Sequence, residues 1–174
     1  MKFVICAGHS NTDPGAVTTL YKESELVTEL RNIVAKKLRD RGHEVVTDGT
    51  GNINEDLKTA IRYAKANPDA LAVDLHFNAA GSSSAKGVES IALVKHSGVA
   101  QRISKNIAGV LKTTVRGDNG FKTQEESARG KLGFVNAGGV IVEVCFLSNP
   151  EEMKNYIETK WLVAEAIVKG LLNE

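Results

Sequence analysis

Apolar positions along the chain switch repeatedly between two periods. Phe3 to Cys6 is a continuous apolar run and reads as a buried strand. A long loop over residues 7–22 follows it. Leu26, Val27, Leu30, Ile33, Val34 and Leu38 then recur at helical spacing and predict one amphipathic helix over 24–41. Arg41-Gly42-His43 ends that helix, because glycine accepts left-handed backbone, and Glu44 to Thr47 reads as a second strand. Leu57, Ala60, Ile61 and Ala64 line a second helix that starts after Asn54, its expected cap, and stops before Pro68. Ala70 to Leu75 is a third strand, continuous rather than alternating in its apolar character, as expected when both faces of a sheet are covered.

The second half continues the alternation. A Gly/Ser run over 81–84 makes an exposed loop, Val88 to Val94 reads as a strand, and Val99, Ile103, Ile107 and Leu111 mark a helix over 98–112. Residues 117–130 are polar and irregular and read as a mobile loop. A short strand is expected at Leu132 to Val135 and a strongly apolar one at Val140 to Phe146. Ser148-Asn149-Pro150-Glu151-Glu152 supplies a cap, a proline at the first helical position and acids in the first turn. The last helix is expected over 160–172. The pattern predicts a single α/β domain with a mostly parallel twisted sheet of about six strands, covered by helices on both faces. Functional sites in such sheets lie at the carboxyl ends of the strands.

Composition narrows this little. With 174 residues and a formal net charge of +1, the chain gives no electrostatic reason to bind nucleic acid. No apolar run approaches the roughly 20 residues that span a bilayer, and Met1-Lys2 runs directly into the first strand without a signal-peptide pattern. Cys6 and Cys145 sit in apolar runs, where a free cysteine packs as a small hydrophobe. Cys145 lacks a nearby positive group to activate it as a nucleophile with His76.

Two of the four histidines stand at strand ends. His9 follows the first strand and His76 the third, and Glu143 interrupts the apolar run Val-Ile-Val-Glu-Val-Cys-Phe. Two histidines and a carboxylate around an open position make a catalytic zinc site, and Glu23 or Glu25, at the start of the first helix, can supply that carboxylate. Each residue also has a plain structural use: a bonded loop histidine, or an acid favoured at a helix amino terminus. A carboxylate inside a buried run demands a nearby cation or a raised pKa, so Glu143 reads as a general base or as half of a structural ion pair. Strand alternation points Glu143 and Cys145 to one face. His43 and His96 read as structural or solvated.

Ala7-Gly8-His9-Ser10 with Asp13-Pro14-Gly15-Ala16, the helix-start glutamate, His76-Phe77-Asn78-Ala79, Gly87-Val88-Glu89 and Glu143 to Pro150 occur in one order. That ordered set resembles the zinc-dependent N-acetylmuramoyl-L-alanine amidases of the amidase_3 family over nearly the whole chain. The resemblance implies a catalytic domain over 1–174 that hydrolyses the amide between N-acetylmuramic acid and L-alanine of peptidoglycan, lysing cell walls. It assigns Zn²⁺ to His9, Glu23 and His76, and general acid–base chemistry to Glu143. Family members often carry asparagine four residues after the ligand glutamate, whereas this chain has Val27, so Glu25 stays open as the third ligand. Asn78 reads either as a substrate hydrogen-bond donor or as a loop cap.

The expected partner is peptidoglycan, met by a monomer. The chain is expected to be made in the cytoplasm and to reach the wall after release through a holin or on lysis, as a phage endolysin or an autolysin. A zinc exopeptidase and a non-catalytic peptidoglycan-binding module are the competing readings.

Overall fold

The computed structural model describes all residues, Met1–Glu174. Six strands form one sheet: β1 (Lys2–Ala7), β2 (Glu44–Thr47), β3 (Leu71–Asn78), β4 (Glu89–Ile91), β5 (Phe121–Lys122) and β6 (Val140–Phe146). Their spatial order is β2-β1-β3-β6-β4-β5, with every neighbouring pair parallel except β4 with β6. The helices are α1 (Glu23–Asp40), α2 (Leu57–Ala66), α3 (Ser97–Leu111), the single turn α4 (Gly133–Asn136) and α5 (Pro150–Leu172). The expected mostly parallel α/β sheet with helices on both faces is what the chain adopts.

The two faces are unequal. Residues Phe3, Ile5, Val73, Leu75, Val140 and Val142 pack under α1, α3 and α5 in the larger core. On the other side Val4, Cys6, Ala72 and Ile141 meet Ala60 and Ala64 of α2 and Phe134 of α4 in a smaller cluster. This follows from strand alternation, since neighbours along a strand face opposite ways. Cys6 and Cys145 are both free and buried, and they belong to opposite faces.

Several boundaries differ from the sequence pattern. Leu132 to Val135 is not a strand. Gly133–Asn136 turns once as a helix that drops Phe134 into the smaller core, and a four-residue apolar run cannot distinguish these outcomes by periodicity. The segment expected to be a mobile loop contains β5, whose Phe121 is buried. The strand expected over 88–94 pairs only at Glu89–Ile91, and Val94–His96 winds into a 3₁₀ turn. Asn149 caps α5 by accepting the Glu151 and Glu152 N–H groups, and the helix then runs unbroken to Leu172 instead of restarting near residue 160. Asn54 is no helix cap. Asp56 takes that place, accepting the Thr59 N–H, while Asn54 is buried elsewhere.

That buried asparagine belongs to a polar knot under the end of β1. Arg31, fully buried on α1, donates from Nη1 to Asp48 Oδ1 at 2.9 Å and to Asn54 Oδ1 at 2.8 Å. Asp48 in turn accepts the Ala7 N–H at 3.0 Å, and Asn54 donates to the carbonyls of Ala7 at 2.9 Å and His9 at 3.0 Å. The knot fixes the backbone where the chain leaves β1. It is needed there because His9 has a φ of 68°, in the left-handed region that non-glycine residues rarely adopt.

Arg31→Met should therefore lower stability by about 3–5 kcal/mol in denaturant unfolding, because it leaves Asp48 as an uncompensated buried charge. Adding Asp48→Asn should recover part of that loss. Equal stability of wild type and the single variant would show that the knot does not carry the β1 terminus.

Candidate metal centre and active site

Sheet order decides what meets at the site. β3 lies between β1 and β6, so the carboxyl ends of the strands leading to His9, His76 and Glu143 are adjacent, and His76 and Glu143 are direct register partners. The amino terminus of α1 delivers Glu23 to the same edge. Its Oε1 lies 3.1 Å from His76 Nδ1 and its Oε2 lies 3.0 Å from His9 Nε2. Ligand atoms of these three side chains all fall within 4.8 Å of one another. Glu25 stays outside, exposed and paired with Lys22 at 3.1 Å.

The wider hydrogen bonding aims the imidazoles inward. Asp13 Oδ2 lies 3.0 Å from His9 Nδ1, and Asp74 Oδ2 lies 3.2 Å from His76 Nε2. A carboxylate accepting the far N–H of each ring leaves the near nitrogen's lone pair for the cluster, as metal-ligating histidines require. His9 Nε2 is buried with no hydrogen bond, since its short approach to Glu23 is poorly aligned. The site is also built around small residues. A Cβ at Gly8 would overlap the His76 ring, and one at Gly15, where φ is +66°, would press on both His9 and Glu23.

The electrostatics favour a cation at this point. Burial opposes ionisation of Glu23, yet its contacts with the His76 and His9 imidazoles and the hydrogen bond from the Ala16 N–H hold its carboxyl well below the usual range. Burial likewise opposes charge on His76, but Asp74, Glu23 and Glu143 raise its pKa well above the ordinary value, and His9 is raised against burial by Glu23 and Asp13. Two imidazoles and a carboxylate with converging lone pairs, backed by two further acids, fit a divalent metal ion.

Glu143 stands beside this cluster without belonging to it. It is 8% exposed, its Oε2 has no hydrogen bond, and burial raises its pKa against the pull of the His76 and Arg129 charges. It lines a cavity of about 80 Å³ with His76, Asn78, Glu89 and Arg129. A wider cleft of about 520 Å³ reaches His9, Asp13, Asp74 and His76 from the side of α2 and α4. Asn78 lines the smaller cavity, and its Oδ1 accepts the Ala79 N–H at 2.9 Å, as a loop cap does. Cys145 does not share the face of Glu143. A register shift between the His76 and Asn78 pairings turns it into the larger core, where its Sγ lies 3.9 Å from Met153 Sδ.

Residues 3–173 match the Amidase_3 family, described as N-acetylmuramoyl-L-alanine amidase. The chain belongs to that family. Among curated proteins it is 25% identical over 186 residues to a probable autolysin of Staphylococcus aureus, a match covering 95% of this chain and 38% of that protein. It is 27% identical over 184 residues to the germination-specific N-acetylmuramoyl-L-alanine amidase of Bacillus subtilis, covering 95% of this chain and 76% of that one. A crystal structure from Neisseria meningitidis, assigned as an N-acetylmuramoyl-L-alanine amidase, superposes with a TM-score of 0.90 at 35% identity, covering 99% of this chain and 94% of that chain. The chain thus spans well under half the length of the staphylococcal protein. No helix is long and apolar enough to cross a membrane.

The sequence pattern missed Asp74 and the neutralisation of Glu89. Asp74 carries the same signal as Glu143, an acid inside an apolar strand run. Glu89 is the register partner of Glu143 across the antiparallel pair, and it is held by Arg116 Nε at 2.7 Å and Lys122 Nζ at 2.8 Å. Lys122 arrives on β5, the strand hidden in the irregular segment.

Asp74→Ala should weaken metal binding about 10–100-fold in chelator competition, the usual range for losing a partner behind a ligand. The fold should survive, since Asp74 Oδ1 is buried without a hydrogen bond. Unchanged metal affinity would remove Asp74 from the site.

Proposed function

We propose that residues 1–174 form a zinc-dependent amidase catalytic domain. It hydrolyses the amide joining N-acetylmuramic acid to L-alanine in peptidoglycan and so breaks down the cell wall. The observation that carries this reading is the convergence of His9, Glu23 and His76 on one point with buried Glu143 beside it, in a chain of this family. His9, Glu23 and His76 would hold the zinc. When bound there, zinc supplies a Lewis acid for the amide carbonyl and acidifies water to a pKa of about 7.

The remaining work falls to the chain's own groups. Glu143 Oε2, free of hydrogen bonds and raised in pKa by burial, accepts the proton of the attacking water. The same carboxyl then gives that proton to the departing amine of L-alanine. Asp13 and Asp74 hold the two imidazoles in the tautomers that ligation needs. Asn78, at the rim of the Glu143 cavity, donates its amide to the substrate.

Glu143→Gln should keep zinc at one equivalent and lose about 10²–10⁴-fold in turnover, the range expected for removing a general acid–base. His76→Ala should lose both zinc and turnover. Zinc content by elemental analysis, read beside release of L-alanine amino groups, separates the roles. An active His76→Ala protein without zinc would contradict the ligand assignment, and a fully active Glu143→Gln protein would contradict the acid–base assignment.

A further inference from the structure

Arg129 has a position that the chemistry above leaves unused. Its exposed side chain makes no hydrogen bond or ion pair. Yet Arg129 lines both the small cavity at Glu143 and the wider cleft at His9 and His76, and so stands at their junction beside His76, Leu132 and Ile141. It is near enough for its charge to favour the ionised form of Glu143. The other cations near the carboxylates of this edge are committed: Arg31 to Asp48, Arg116 and Lys122 to Glu89. Lys58, the only other cation lining the cleft, touches one cavity alone.

A guanidinium presents a planar fork that matches a carboxylate with two parallel hydrogen bonds. The two halves of the proposed substrate differ in this respect. N-acetylated sugar units are neutral, whereas the peptide beyond L-alanine carries an acidic residue whose α-carboxyl is either free or amidated. We propose that Arg129 is a specificity-determining residue that binds this α-carboxylate on the peptide side of the scissile amide, so that the site distinguishes free from amidated stem peptides. The inference rests on the amidase reading. Loops 123–132 and the strand edge then divide the labour: the strand ends cut the bond, and the loop reads the peptide.

The test uses two soluble substrates, N-acetylmuramoyl-L-alanyl-D-glutamate capped as an amide at its γ-carboxyl, with the α-carboxyl free in one and amidated in the other. Wild type should favour the free carboxylate about tenfold in kcat/KM, mostly through KM, since a charge-assisted bidentate contact is worth at least one decade. Arg129→Ala should abolish that preference, its kcat/KM falling about tenfold more on the free-carboxylate substrate than on the amidated one, and Arg129→Lys should restore part of it. Equal losses on both substrates, seen in kcat, would overturn the proposal in favour of a role at the reacting carbonyl. Wild type that cleaves both substrates alike would overturn it outright. Wild type that cleaves neither would instead count against the amidase reading.

Discussion

Burying a carboxylate is tolerable only when a cation or a set of donors accompanies it, and this fold buries six: Glu23, Asp48, Asp74, Glu89, Glu143 and Glu152. Most of the polar architecture answers that demand. Arg31 serves Asp48, Arg116 and Lys122 serve Glu89, and Glu152 takes the N–H groups of Gly87 and Phe146 with the Thr113 hydroxyl. Glu23 and Asp74 are served by imidazoles that themselves become positive only with a proton or a metal. Asp74 leaves one oxygen without a donor, and Glu143 alone among the six makes no hydrogen bond through either oxygen, its carboxylate lining a small cavity. The cluster short of positive charge and the carboxylate short of a donor stand next to each other, and that imbalance is where the chemistry resides.

The remaining structure holds this imbalance in place. An unpaired, high-energy group survives only if its surroundings cannot rearrange to satisfy it. The parallel run of β1, β3 and β6 sets the spacing, the buried Arg31–Asp48–Asn54 knot pins the left-handed His9, and Gly8 and Gly15 let backbone approach His76, His9 and Glu23 where any side chain would collide. A neutralised Glu89 opposite Glu143 keeps two neighbouring carboxylates from repelling without compensation.

Much of this was legible before any coordinates. Long periodic segments gave α1, α3 and the apolar strands, because burial on one or both faces writes itself into spacing. His9, His76 and Glu143 were legible because a polar residue at the end of, or inside, a buried run has no packing use. Glu23 was not separable from Glu25 by sequence, since two acids in one helical turn differ only in where the helix axis points them, and the fold turns Glu25 to solvent. The α4 turn and β5 were missed for a different reason. Each is four residues or fewer, stabilised by Phe134 and Phe121 meeting a core that other segments build. Cys145 was misplaced because one bulge in β6 reverses the alternation on which its facing was read.

Family membership connects the fold to N-acetylmuramoyl-L-alanine amidases, and the site's charge balance explains how such a chain would cut the bond. The most direct measurement is digestion of purified peptidoglycan by zinc-loaded protein, with and without chelator, followed by labelling of newly exposed amino termini. The account predicts free L-alanine amino groups that appear only with metal. Termini from deeper in the stem peptide, or release that persists without metal, would contradict it.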